Sequence, residues 1–265
     1  MVNFTKHSID DLVSVESVLS VRHWTNKLFS FYISRPSSFR FESGEFVMLG
    51  LLVDGKPLLR AYSIVSAPWD DELHFFSIKV PNGPLTSRLR LLKKGDKVLL
   101  GKKATGTLVL GSLTSGKTLY LFATGTGIAP FLSLIRNPVT YDNFENILLT
   151  QTCRSAAELE FGKIIVSKLE TDPLVGEIAN RHLIYDTSVT QDSHYTTGRI
   201  TTRIASGALF DKNGLLPMNK KSDRAMICGS TNMLGEMSYL MKNFGLREGS
   251  LGRPAEFVIE KAFVS

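Results

Sequence analysis

Cysteine is scarce in this 265-residue chain, with Cys153 and Cys228 the only two. Two thiols are too few to ligate an iron–sulfur cluster through four thiolates or to build a disulfide framework. Any redox centre must therefore be an organic cofactor or sit on a partner. Long apolar runs are also missing: none approaches the ~18 residues of a membrane span. Met1 to Leu12 lacks the apolar core of a signal peptide. Membrane insertion is not expected, and the expected location is the cytoplasm. No dense Lys/Arg tract interleaved with aromatics occurs, so nucleic acid is not an expected partner. No metal site is expected either. The formal net charge of +6 favours anionic partners.

What is present is enough apolar material, 43% of residues, for two domains of ordinary size. The first half reads as short strands at Leu12–Val21, Lys27–Ile33, Phe46–Val53, Leu58–Ile64, Leu73–Val80 and Lys97–Leu110, separated by turn signals. Strands at this spacing favour a small antiparallel barrel. One segment, Pro84 to Leu92, has the Leu spacing of a short helix, with Pro84 suited to its first turn. The Pro81-Asn82-Gly83 turn before it would aim free N–H groups at a phosphate, and Thr86 and Ser87 add hydroxyls. The stretch Arg60-Ala61-Tyr62-Ser63 combines a phosphate-binding guanidinium, an aromatic platform and a hydroxyl at a strand end. Strand alternation puts Arg60 and Tyr62 on one face. Alone, the same four residues also read as a strand with a snorkelling Arg and a packed Tyr.

After the small polar stretch Ser112–Gly116 the pattern changes to strands alternating with helices, which implies a parallel sheet covered on both faces. Strands are expected at Thr118–Ala123, Asn146–Thr150, His182–Tyr185 and Ala225–Cys228. Helices are expected at Ile128–Ile135, Ala156–Leu169 and Asn232–Phe244. Ligands of such sheets bind at the carboxyl ends of the strands. Thr124-Gly125-Thr126-Gly127 is a loop that lets backbone approach a phosphate, although it lacks the third glycine of the dinucleotide fingerprint. Cys153-Arg154 follows the second strand, where a guanidinium suits a ribose 2′-phosphate, and Arg199 is a candidate second one. Cys228-Gly229-Ser230 ends a later strand, and Cys228 by itself reads first as a buried structural thiol.

In this order the motifs make the chain resemble the ferredoxin–NADP reductase family in its bacterial form over nearly its whole length. The matching segments are Arg60–Ser63, Pro84–Ser87, Ala123–Pro130, Met226–Ser230 and Phe257–Val264. The resemblance implies an antiparallel six-stranded Greek-key β-barrel over residues 1–112 that binds FAD tightly but non-covalently. It implies an α/β parallel-sheet domain over residues 113–265 that takes NADP(H) as substrate, with a C-terminal tail returning to the flavin. By the same resemblance, Arg60 pairs with the FAD pyrophosphate, Tyr62 stacks on the isoalloxazine and Ser63 approaches its N5, with Ala61 between them. Ser77, Ile78, Lys79, Leu85, Thr86, Ser87 and Thr126 line the rest of the flavin site. Ala262 would cover the outer flavin face and Phe263 would stack on the adenine. The implied NADP site comprises Thr124, Gly125, Gly127, Cys153, Arg154, Arg199, Cys228, Gly229, Ser230 and Met233. The groups expected at the reacting centre are Tyr62, Ser63, Cys228, Glu260 and Ala262. For Glu260 a proton relay competes with an ordinary solvated carboxylate.

The implied activity is electron exchange between NADP(H) and ferredoxin or flavodoxin, by a chain expected to be monomeric. Acidic partners would suit Lys93, Lys94, Lys102 and Lys103. A flavin reductase serving another acceptor is the competing enzyme reading. A non-catalytic NADP(H)-sensing module is opposed by the intact Arg60, Tyr62 and Ser63. In one place the chain departs from its family: where many bacterial members carry Val-Thr-Arg-Glu, it reads Val189-Thr190-Gln191-Asp192. Selectivity for NADPH over NADH is expected to be weaker for the loss of that guanidinium.

Overall fold

Period-two alternation gives the first half its form. In the computed structural model, which describes residues 12–80 and 82–261, six strands pair antiparallel in the order β4-β3-β6-β1-β2-β5. They are β1 (Val13–His23), β2 (Leu28–Ser34), β3 (Phe46–Val53), β4 (Lys56–Ser63), β5 (Glu72–Ile78) and β6 (Lys97–Thr105). An Ile64–Phe75 bridge joins the β4 and β5 edges and closes the barrel. Phe29, Phe31, Ile33, Leu49, Tyr62 and Phe75 fill its interior. The helix expected over Pro84–Leu92 is a single turn, α1 (Thr86–Leu89). The next residues form three-residue turns, Leu91 N to Arg88 O and Leu92 N to Leu89 O, that lead to the left-handed Gly95. Leu85, Leu89 and Leu92 still pack into the barrel core.

The second half is a parallel sheet in the order β11-β10-β7-β8-β9, formed by β7 (Thr118–Thr124), β8 (Asn146–Cys153), β9 (Leu183–Val189), β10 (Asp223–Gly229) and β11 (Phe257–Lys261). β10 is buried at every position, as expected of a strand covered on both faces. One face packs on α2 (Ala129–Leu134) and α4 (Glu160–Ser167), with α3 (Pro138–Asn143) and α5 (Gly176–His182) beside them. The other packs on α6 (Ile200–Ala205), α7 (Ala208–Lys212) and α8 (Thr231–Asn243). Four of these elements, α3, α5, α6 and α7, have no counterpart among the sequence expectations. None exceeds seven residues, too few for a clear 3.6-residue period. β9 also runs beyond the expected Tyr185, to Val189.

The two sheets meet because β5 is apolar on both faces. Leu73 and Phe75 point into the barrel, while Phe76 joins Leu28 and Val65 in the core built on α2 and α4. No described helix is long and apolar enough to cross a membrane.

Candidate active site at the junction of the two sheets

The strand order reverses at β7: β8 and β9 lie to one side, β10 and β11 to the other. Crevices form at such switch points beyond the carboxyl strand ends. Here the β7 loop, a 3₁₀ turn over Gly125–Ile128 rather than an open loop, lies against the end of β10. A Cβ on Gly127 would sit 2.3 Å from Cys228 O, and one on Gly229 would sit 2.1 Å from Thr124 Oγ1. Both glycines are thus required by space. Ser230 caps α8 through Met233 N, and its own N–H donates to Thr124 Oγ1 at 3.2 Å.

Above this crossing lies a cleft of ≈ 480 Å³ shared by both halves: Lys27, Leu28 and Ile78 from the barrel, and Thr124, Gly125, Thr126, Cys153, Arg154, Arg199, Ser230 and Met233 from the parallel sheet. Gly127, Cys228 and Gly229 belong to the crossing itself and are not among the residues lining the cleft. Gln191 lines it too, where the departure from the family pattern put it, and Thr152, Thr201, Asn232 and Glu236, which were not anticipated, complete the wall. For Glu236 a signal existed, since it stands three residues after Met233 on α8 and therefore on the same face.

The cleft favours a multiply phosphorylated ligand. Its carboxylates are already engaged: Glu158 Oε2 accepts from Arg154 N at 3.0 Å, and Glu236 Oε2 accepts from Thr201 Oγ1 at 2.7 Å. Arg199 is only loosely tied, 3.9 Å from Glu236. Arg154 makes no ion pair among the described residues. The buried hydroxyl of Thr126 has no hydrogen-bond partner among the described residues, an oxygen that a ligand would satisfy. Backbone bonds from Thr190 N to Cys153 O (3.0 Å) and from Gln191 N to Arg154 O (2.9 Å) place Gln191 beside Arg154 at the rim. The Cys153 thiol is pushed up to about 12, first by burial and then by Glu158. It is an inert wall.

On the barrel, Arg60 is exposed and, among the described residues, its guanidinium bonds only to Leu59 O, at 2.8 Å. Tyr62, two residues on, is buried against Phe31 and Phe75, with Ser77 Oγ 3.4 Å from its hydroxyl. Ala61 and Ser63 are half-buried. Lys79 is tied to the turn after β1, its N–H to Lys27 O and its Nζ to Thr25 O. Leu85 is core, and Thr86 Oγ1 binds the Val80 backbone, so of these three Ser87 carries the hydroxyl that bonds to none of the described residues. The exposed Arg60 guanidinium on β4 and the Ser87 hydroxyl on α1 are groups that a flavin dinucleotide would engage, with the Tyr62 ring packed two residues along β4 from Arg60.

Glu260 corrects the reading of a solvated carboxylate. It pairs with Cys228 across β10 and β11, and its Oε2 accepts from Thr107 N at 3.0 Å, tying the end of the parallel sheet to the barrel. Burial, opposed by the Thr107 hydrogen bonds and assisted by Glu45, raises its carboxyl to about 7. Cys228 is wholly buried, and burial beside Glu260 holds its thiol neutral. Ala262 and Phe263 lie outside the described residues.

Residues 13–107 match the sequence family of the oxidoreductase FAD-binding domain, and residues 121–238 that of the oxidoreductase NAD-binding domain. Fold and site thus define a two-nucleotide oxidoreductase, built from a flavin barrel and a nicotinamide-nucleotide sheet. The chain is 51% identical to a flavodoxin/ferredoxin–NADP reductase of Rhodobacter capsulatus, over 96% of its own length and 94% of the relative's. It is 49% identical to a ferredoxin–NADP reductase of Azotobacter vinelandii, over 95% and 98%. Its structure resembles that of a ferredoxin NADP+ reductase from Neisseria gonorrhoeae with bound FAD and NADP, with a TM-score of 0.86, 29% identity, and coverage of 95% of this chain and 99% of that one. The chain belongs to the ferredoxin–NADP reductase family.

Proposed function

We infer that this protein is an FAD-dependent enzyme passing electrons between NADP(H) and ferredoxin or flavodoxin. The observation that carries the inference is the cleft at the β7/β10 switch point. It is walled by both halves of a chain about half identical to reductases so named. Bound FAD supplies the conversion between a two-electron donor and a one-electron acceptor.

The chain's own residues bind and orient. Arg60 holds the FAD pyrophosphate, Tyr62 gives the flavin its platform and Ser63 approaches its reacting edge. Ser77 to Lys79, Leu85 to Ser87 and Thr126 line the remainder. Ala262 and Phe263 belong to the tail that covers the flavin. The glycines at 125, 127 and 229, with Thr124, Ser230 and Met233, receive the NADP phosphates and nicotinamide, and Cys228 backs the reacting end. Glu260 holds a proton close to that end. Arg154 and Arg199 take the 2′-phosphate, with Cys153 behind them. Gln191 adds only a neutral amide there, so preference for NADPH is weaker than a third guanidinium would give. The boundary between the FAD and NADP(H) units is placed at residues 112 and 113.

Replacing Arg154 or Arg199 by Ala is expected to raise the KM for NADPH about tenfold or more, the worth of one charged hydrogen bond, while leaving NADH unaffected. Equal loss with both nucleotides would remove the 2′-phosphate assignment.

The enzyme works in the cytoplasm as a monomer, and its acceptor is acidic, docking near the exposed Lys93, Lys94, Lys102 and Lys103. Steady-state turnover with NADPH should be fast and saturable with ferredoxin or flavodoxin, and should slow as salt screens the lysines. Reduction of ferricyanide or free flavin alone would transfer the activity to another acceptor.

A further inference from the structure

The cleft has its width only if the barrel and the parallel sheet are held at one separation and angle. Alongside the Glu260–Thr107 and Asn137–Ser43 hydrogen bonds, two contacts outside the cleft hold them.

The first is ionic. Arg136, just after α2, presents its guanidinium to Asp70 in the turn between β4 and β5. Nη1 lies 2.5 Å from Oδ2 and Nη2 lies 2.9 Å from Oδ1. Asp172 Oδ2 stands 3.8 Å from Arg136 Nε. The paired side chains are about three-quarters buried, at 24% and 26% exposure. Asp70 is itself fixed: Oδ2 accepts from Ala67 N at 2.9 Å, and its carbonyl accepts from Arg35 Nη1 at 2.7 Å. One turn before Arg136, the fully buried Ser133 donates to Ser66 O at 2.7 Å.

The second contact is aromatic. Phe161 of α4, 1% exposed, stacks on Phe76 of β5 at 4.0 Å and 16°. The rings of Trp24 and His74 stand nearly perpendicular to it at 5.3 Å. Burial, with Lys168 and Arg136 nearby, lowers His74 to about 3. The imidazole therefore stays neutral and adds no charge against Arg136.

These contacts do different work. The aromatic cluster supplies buried area, which attracts but orients weakly. A desolvated ion pair adds little net stability, yet a two-pronged guanidinium–carboxylate pair fixes distance and rotation together. We propose that Arg136 and Asp70 are positioning residues for electron transfer, setting how closely the nicotinamide site approaches the flavin site. The proposal rests on the functional reading above.

The test uses the FAD-loaded protein with Arg136→Met, which keeps bulk but loses the fork, and Arg136→Lys, which keeps charge but loses the second prong. Stopped-flow reduction of the flavin by NADPH should slow about 10–100-fold in both, the cost of a misplacement on the order of 1 Å. The long-wavelength charge-transfer absorption on adding NADP+ should weaken. Affinity for 2′-phospho-AMP, measured by calorimetry, should not change, because Arg154 and Arg199 belong to the parallel-sheet half alone. Should either variant fail to fold, the near-isosteric Asp70→Asn takes its place with the same expectations. A lower melting temperature with wild-type transfer rate and charge-transfer band would show a purely structural pair and overturn the proposal. A wild-type protein whose flavin NADPH does not reduce would overturn the functional reading and the proposal with it.

Discussion

Glu260→Gln melts higher than wild type above about pH 7 and loses that advantage toward about pH 5. The wild-type carboxyl is raised from an ordinary 4.5 to about 7 by burial beneath Thr107 and beside Glu45. Between those values the native state keeps a proton that the unfolded chain has released. Stability therefore falls as pH rises through this window, and the full cost applies above it. The shift corresponds to at most ~3 kcal/mol. The amide carries no charge to desolvate, and its oxygen can still accept from Thr107 N. Thermal unfolding of the two proteins across the window checks the sign. Parallel curves would mean that Glu260 is solvated and ionised throughout, and would remove it as a proton-holding group at the reacting centre.

Gly127→Ala is expected to destabilise the protein by about 3 kcal/mol, at the upper end of ordinary overpacking, and to abolish binding to an immobilised 2′-phosphoadenosine nucleotide. The added carbon would lie 2.3 Å from Cys228 O and 2.6 Å from Cys228 C. These are backbone atoms of a buried central strand and cannot swing aside. The β7 loop must then lift from β10, displacing Thr124, Gly125 and Thr126, which line the cleft. Gly125→Ala is the matched control. Gly125 has φ +55 but no atom within 4 Å of the added carbon, so it should lose only about 1–2 kcal/mol to backbone strain. Denaturant melts and binding of both variants would separate space from strain. If Gly127→Ala bound nucleotide as well as Gly125→Ala does, the crossing would not be the phosphate site.

The sequence shows its strands where one local rule dominates. β3 begins and ends with its apolar run, at Phe46 and Val53, and β7 and β10 carry apolar runs that stop at a glycine, Gly125 and Gly229. The site motifs are legible for the same reason, because each sits within a few residues of a strand end. What is hidden depends on distant partners. β11 is only five residues long and becomes a strand by pairing with β10. The one helix expected over Ala156–Leu169 is α4 with a 3₁₀ turn at each end, Ala156–Leu159 and Lys168–Thr171. Glu260 looks solvated until Thr107, 153 positions earlier, donates to it. The Arg136–Asp70 pair spans 66 positions, and no periodicity links them.

The most direct measurement is anaerobic mixing of the purified, FAD-loaded protein with NADPH, followed by oxidised ferredoxin or flavodoxin, while flavin absorbance is recorded. The account predicts bleaching by a stoichiometric amount of NADPH and recovery of the colour as the protein acceptor is reduced. Flavin that NADPH leaves oxidised, or that stays bleached until ferricyanide is added, would contradict it.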